Sequence, residues 1–356
     1  MPINYTGLID HYRAWMPLAD DIEVISLREG NTPLMRLHNM ESELNADVRL
    51  YAKYEGTNPT GSFKDRGMTV AVTQARYEGA EAIICASTGN TSASAAAYAA
   101  RGGMRAFVII PEGKIAFGKL AQAVMHGAKV IQIRGNFDDG MRLVKEMAES
   151  APVALVNSVN PFRLHGQKTA AFEIVDVLGR APDFHCLPVG NAGNISAYWM
   201  GYCEYVGAER ANTRPAMVGC QASGAAPFVH GAPVRTPETV ATAIRIGQPQ
   251  SWDKALVAGQ ESKGWFCAFD DREILRCQRL LAEREGVFCE PASAISVAGA
   301  IDAVVKGRIP AGATVVCTVT GHGLKDADTA VTENALRPLQ VPAEAGAVRQ
   351  AILDAL

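Results

Sequence analysis

An alternation of two kinds of apolar segment constrains this chain more than anything else in it. From residue 48 onward, apolar runs of strand length are separated by longer amphipathic stretches. That is the pattern of parallel sheets covered by helices on both faces. The pattern predicts strands at 82–86, 106–110, 129–133 and 153–156, with helices at 91–101, 117–126 and 138–149 between them. These four strands suffice to close a subdomain of their own. A second series follows: a helix over 161–178, a strand at 184–188, a helix over 194–206 and a strand at 216–220. Residues 223–250, rich in Pro, Gly, Ala and Thr, read as a surface excursion. Helices over 271–285 and 291–305 and a last strand at 314–318 complete the series. An irregular lead-in with a helix around 8–16 comes before it, and a tail with Pro338 and Pro342 ends in a short helical piece. The fold class is α/β.

Bulk properties exclude several classes of function. The 356 residues are 48% hydrophobic, with 34 basic against 37 acidic side chains, as in an α/β enzyme large enough for two domains. A net charge of −3 gives no electrostatic reason to expect nucleic acid or a membrane surface as partner. The first twenty residues mix Asp10, His11, Arg13 and Asp20 with short apolar pieces, unlike a secretory signal. The longest apolar run, 93–100, is too short to span a bilayer. Eight scattered cysteines form no C-x-x-C pair and the histidines no H-E-x-x-H pattern, so the expectation is reduced thiols and no metal. A cytoplasmic location is expected.

Five segments carry chemistry. The first is Asn58-Pro59-Thr60-Gly61-Ser62-Phe63-Lys64-Asp65-Arg66, a Pro/Gly turn leading from the apolar run 48–54 into a helix, with Ser62 expected as its N-cap. An ammonium near a helix start gains nothing from the helix dipole, so the neutral amine of Lys64 is favoured. A neutral amine is what a carbonyl compound needs to form a Schiff base. The spacing of Gly56 and Gly61 invites a nucleotide phosphate loop, but Ser62 and Phe63 stand where Lys and Ser/Thr are needed. The second segment, Gly190-Asn191-Ala192-Gly193-Asn194, lies between a strand and a helix, where backbone N–H groups receive an anion. It lacks the third glycine of a dinucleotide fingerprint. The third, Ser87-Thr88-Gly89-Asn90-Thr91-Ser92, opens an alanine-rich helix in the same way. The fourth, Asn157-Ser158-Val159-Asn160-Pro161-Phe162-Arg163, brings a guanidinium and neutral donors to a strand end. The fifth, Thr320-Gly321-His322-Gly323-Leu324-Lys325-Asp326, follows the last strand.

Together with Gly30-Asn31-Thr32-Pro33-Leu34 and Gly166-Gln167-Lys168-Thr169, these segments resemble, in order over about residues 30–330, the fold-type II pyridoxal-phosphate enzymes. That group includes the tryptophan synthase β-subunit, and within it the segments are most similar to the threonine synthase family. The resemblance implies two three-layer α/β domains with mostly parallel sheets. Residues 1–55 and 161–336 would form a large cofactor domain, 56–160 a smaller mobile domain, and 337–356 a C-terminal tail. It implies pyridoxal 5'-phosphate held covalently by Lys64, with its phosphate on Gly190, Asn191, Ala192, Gly193 and Asn194. Asn90 would bond its phenolic oxygen and Thr320 its ring nitrogen. The family departs from this chain at His322, where Asn is expected.

The family acts on O-phospho-L-homoserine, so a second phosphate site is implied. Asn157, Ser158 and Arg163 would form it with Ser87, Thr88 and Thr91, and Lys114 and Lys119 are weaker candidates. The implied reaction is a β,γ-replacement with Lys64 as base, giving L-threonine and phosphate in a lyase of threonine biosynthesis. A homodimer without a large N-terminal regulatory extension is expected. A serine or threonine dehydratase on the same fold, and a non-catalytic cofactor-binding sensor, are the alternatives.

Overall fold

The computed structural model describes residues 5–112, 117–135, 137–333 and 339–355. They form two sheets. In the smaller, β3 (Ala82–Ala86), β4 (Arg105–Pro111), β5 (Lys129–Ile133) and β6 (Val153–Leu155) are all parallel, in the order β5-β4-β3-β6. The larger has the order β1-β2-β10-β7-β8-β9. Its strands are β1 (Leu34–Arg36), β2 (Arg49–Tyr54), β7 (Phe184–Pro188), β8 (Ala216–Ala222), β9 (Trp265–Phe269) and β10 (Thr314–Val319). Only β1 among them runs antiparallel to its neighbour. The central strands β3 and β10 are buried along their whole length, which is why they read as unbroken apolar runs. Edge strand β5 is largely exposed, matching its Lys129 and Gln132.

Helices Asp271–Glu285 and Pro291–Val305 cover one face of the large sheet, and Pro161–Leu178, Gly193–Gly207 and Trp252–Glu261 the other. On the small sheet, helix Asn90–Arg101 lies on one face and Phe137–Ser150 on the other. Helix Lys64–Tyr77 belongs to both cores: Val70 packs with the large unit, Met68, Val72 and Ala75 with the small one.

That helix meets Pro161–Leu178 at unusually close range. A Cβ added to Gly166 would lie 1.8 Å from the Arg66 carbonyl oxygen. Gly166→Ala must therefore push the two helices apart, and is expected to cost about 3 kcal/mol or more. Chemical denaturation of the apo protein reads this as a lowered midpoint at unchanged slope.

Several expectations need correction. Ser62 does not cap the lysine helix: that helix starts at Lys64 after Phe63, and the Ser62 hydroxyl lies 3.4 Å from the Lys64 N–H. Gly61, at φ +83, has already turned the chain, so Lys64 is the first helical residue. The helix expected around 8–16 is a short helix, Leu8–His11, followed by a 3-10 turn, Arg13–Trp15. Segment 223–250 runs over the surface only in part: 229–238 is mostly exposed, whereas Ala225, Ala226, Thr239, Ala241 and Ile244 are buried and anchor it at both ends. Helices His38–Leu44 and Trp252–Glu261 and strand β9 were not anticipated. Lys114 lies outside the described residues. Among the described residues no helix is long and apolar enough to cross a membrane.

Candidate active site

The chemistry-bearing segments follow the carboxyl ends of parallel strands. Asn58–Lys64 comes after β2, Ser87–Thr91 after β3, Asn157–Arg163 after β6, Gly190–Asn194 after β7 and Thr320–Asp326 after β10. Ligands of open α/β sheets bind at such ends. Here they surround one cavity of about 800 Å³. Its lining includes Lys64, Ser87, Thr88, Asn90, Thr91, Asn157, Ser158, Arg163, the loop Gly190, Asn191, Ala192, Gly193 and Asn194, and Thr320. Every candidate among the fourteen site positions is thus brought to the same cavity.

Lys64 is half-buried, its Nζ 4.3 Å from the centre of the Phe63 ring. Burial and the nearby Arg163 guanidinium push its amine down to about 7, against a partial opposing pull from Glu290. The folded protein therefore holds this proton more weakly than the unfolded chain, whose lysine sits at 10.5. Apo-protein stability should accordingly rise with pH between about 7 and 10.5. The rate of reductive methylation of Lys64 in the apo protein should titrate near 7, well below that of a solvated lysine.

The residues flanking Lys64 are clamped. Asp65 accepts from the Thr60 N–H (2.7 Å), the Thr60 hydroxyl (2.5 Å) and the Ser94 hydroxyl (2.6 Å), tying the lysine turn to helix Asn90–Arg101. Arg66 is buried and bidentate to both Glu55 and Glu173, and Glu173 also accepts from Lys53 at 2.6 Å. The two cations hold the Glu173 carboxyl well below the usual range. Two charges of each sign close this network, so it sits under the site without a net charge of its own.

The loop Gly190–Asn194 has the geometry of an anion cradle. Ala192 takes the left-handed conformation, φ +65 and ψ 1, directly ahead of helix Gly193–Gly207. A non-glycine residue there costs roughly 1–2 kcal/mol; the first N–H groups of a helix have no partner within it, and Gly193 and Asn194 at this helix start line the cavity. Asn194 adds a buried Nδ2 with no hydrogen-bond partner.

Arg163 is not the solvated arginine that a helix's first turn usually carries. It is 1% exposed, and only its Nη1 is bonded, to the Val156 carbonyl at 3.2 Å. Its Nε and Nη2 have no partner, and burial lowers its pKa to about 10. A buried guanidinium with two unpaired donors suits an anion. Asn157 is more committed than expected: its Oδ1 accepts from Ala86 N–H (2.9 Å) and its Nδ2 donates to the Ala86 carbonyl (3.0 Å). One N–H of that amide remains for a ligand.

Sequence reasoning missed Glu290. This carboxylate is buried, lines the cavity and accepts from Asn90 Nδ2 at 3.1 and 3.3 Å. Burial raises its pKa, opposed by the Asn90 bond and by the ammonium groups of Lys325 and Lys64. Glu290 precedes Pro291 at a helix start, a place where a carboxylate usually reads as an ordinary cap, so no local signal set it apart. Also missed were Thr242–Ile246, which wall the cavity, and Lys325, whose Nζ donates to the Thr60 carbonyl (3.0 Å) and to Gln122. His322, where Asn was expected, accepts from Leu324 N–H at 3.1 Å and so shapes the turn after β10.

A family profile described as "Pyridoxal-phosphate dependent enzyme" matches residues 25–321. The chain belongs to this family. The pyridoxal-phosphate family assignment is accompanied by closer likenesses. The chain is 60% identical to a threonine synthase of Synechocystis sp. over 92% of this chain and 85% of that protein. It is 56% identical to a threonine synthase of Bacillus sp., covering 93% and 94% of the two chains. Identity to the threonine synthase of Halalkalibacterium halodurans is 52%, over 99% and 97%. Among solved structures, cysteine synthase from Entamoeba histolytica superposes with a TM-score of 0.74 at 19% identity, covering 88% of this chain and 90% of that one. Maize serine racemase does so with 0.73 at 19% identity, over 86% and 92%. These two share the fold expected for the family.

The residues present suit the family's cofactor. The site offers a lysine depressed toward neutrality, an anion cradle with an orphaned amide donor, and a neutral hydroxyl at Thr320.

Proposed function

We propose that this chain converts O-phospho-L-homoserine and water to L-threonine and inorganic phosphate, the threonine synthase reaction. The observation that carries this reading is Arg163: two buried guanidinium donors without partners, in the same cavity as Lys64 but on a different strand end from the Gly190–Asn194 cradle. A cavity with two separate anion sites suits a cofactor phosphate and a substrate phosphate together. A serine or threonine dehydratase has no second phosphate to hold.

Pyridoxal phosphate, when bound, supplies an electron sink for charge developed at the substrate's α-carbon. Residues Gly190 to Asn194 would hold its phosphate at the helix start, Thr320 would face its ring nitrogen as a neutral hydroxyl, and Asn90 would face its phenolic oxygen. Lys64 takes the proton from Cα and carries protons at Cβ and Cγ, a task that suits an amine with a pKa near the working pH. Arg163, Ser158 and the remaining N–H of Asn157 grip the ester phosphate, with the hydroxyls of Ser87, Thr88 and Thr91 contributed from the small unit. The Cγ–O bond breaks with its electron pair leaving on phosphate, and water delivers a hydroxyl to Cβ. Closure of residues 56–160 over the remainder keeps water out until that last step. The same reading makes the protein a cytoplasmic homodimer whose only other partner is its small-molecule substrate. Light scattering coupled to size exclusion reads the dimer.

The test is product analysis with O-phospho-L-homoserine. Equal amounts of phosphate and L-threonine are expected. Keto acid from L-serine or L-threonine without phosphate release would favour a dehydratase, and cofactor binding with no product at all a sensor.

A further inference from the structure

We infer that Glu290 is a positioning residue for this reaction: across the cleft between the two units it fixes the amide of Asn90 so that a donor, not an acceptor, is presented to the bound ring. This rests on the reading above that Asn90 faces the cofactor.

Three features show that the chain keeps this carboxylate in the cavity at a cost. Glu290 occupies the N-cap position of helix Pro291–Val305 with extended backbone, φ −67 and ψ 153, yet its side chain accepts no N–H of that helix. A cap bond is worth about 1 kcal/mol, and here it is forgone. A Cβ on Gly321 would lie 2.6 Å from Glu290 Oε1 and 2.7 Å from its Cδ, so only glycine lets the carboxylate lie against the end of β10. Glu290 is also 5% exposed and thus held away from water.

Its contacts explain what is gained. Both Glu290 oxygens are within reach of Asn90 Nδ2, at 3.3 and 3.1 Å, and the Thr320 hydroxyl approaches Oε1 at 3.4 Å. The two ends of an asparagine amide are nearly the same in shape, and only hydrogen-bond partners decide between them. A carboxylate that accepts selects the nitrogen end. One N–H of Asn90 is then spent on Glu290 and the second is left for a ligand oxygen. Asn90 opens a helix of the small unit while Glu290 and Thr320 belong to the large one, so the amide is oriented by the meeting of the two. Ser293 steadies the far side, accepting from Gly321 N–H at 2.9 Å and lying 2.9 Å from the Thr320 hydroxyl.

The test is a double-mutant cycle in cofactor binding, with pyridoxal phosphate titrated into the apo forms of the wild type, Glu290→Gln, Asn90→Ala and the double variant. Glutamine can donate as well as accept, so it no longer selects the Asn90 orientation. Glu290→Gln should weaken binding about 10-fold when Asn90 is present. In the Asn90→Ala background it should weaken binding by less than about 2-fold. The absorption maximum of the bound cofactor should shift alike in the two single variants. Glu290→Asp, which keeps the charge but withdraws it by one methylene, should show the same dependence on Asn90, and serves if Glu290→Gln does not fold. The apo unfolding temperature of Glu290→Gln should not fall, because a buried carboxylate is removed. Equal losses in both backgrounds, or no loss with Asn90 present, would overturn the inference. Because the cycle reads binding, its outcome is separate from whether O-phospho-L-homoserine is the substrate.

Discussion

Lys64→Ala is expected to lower turnover of O-phospho-L-homoserine by about ten-thousand-fold or more, since the proposed mechanism uses this one amine both as cofactor anchor and as base. Reduction of the loaded wild type with borohydride should attach the cofactor irreversibly to the peptide containing Lys64, and the variant should yield no such adduct. The fold should survive the change. Its clamps are carried by Asp65 and Arg66 rather than by Lys64 itself. Removing a half-buried amine that resists protonation should, if anything, stabilise the apo protein at pH values below its pKa of about 7. A variant that keeps full turnover would remove Lys64 from the mechanism.

The second large effect belongs to Arg163→Met. Losing the two charge-assisted hydrogen bonds proposed to the substrate phosphate should reduce kcat/KM by about a thousandfold. Cofactor affinity should stay within about twofold, because the cofactor's phosphate is assigned to a separate loop. Global stability should hold or improve, since a buried guanidinium with two unpaired donors gives way to an apolar chain of similar length. A further sign can be worked out. The Arg163 charge is one of the causes that lower the Lys64 pKa, so in the apo variant Lys64 should titrate above 7. An unchanged Lys64 titration, or equal loss of cofactor and substrate binding, would break the division of the cavity into two anion sites.

Much of this was legible in the sequence because each motif follows a parallel strand, and strands buried on both faces read as unbroken apolar runs. The runs at 82–86, 129–133 and 184–188 and the helices 161–178, 271–285 and 291–305 coincide with observed elements. In the structure a capping box of Asp270 and Glu273 holds the start of the helix 271–285. What could not be read depends on contacts between distant residues. Glu290 is informative only beside Asn90, two hundred positions away, and Gly321 only beside Glu290. Segment 223–250 has the composition of a loop, and burying Ala241 and Ile244 against the large core is a tertiary fact that its Pro and Gly content hides. Asn157 looked like a free donor because nothing local shows that Ala86 takes up both ends of its amide.

The central claim is that phosphate leaves from carbon and water enters at a different carbon of the same substrate. Turnover in 18O-enriched water, read by mass spectrometry of both products, tests this directly. The account predicts one labelled oxygen in the hydroxyl group of L-threonine and none in the released phosphate. Label in the phosphate, with L-homoserine as the organic product, would mean simple ester hydrolysis and would contradict it.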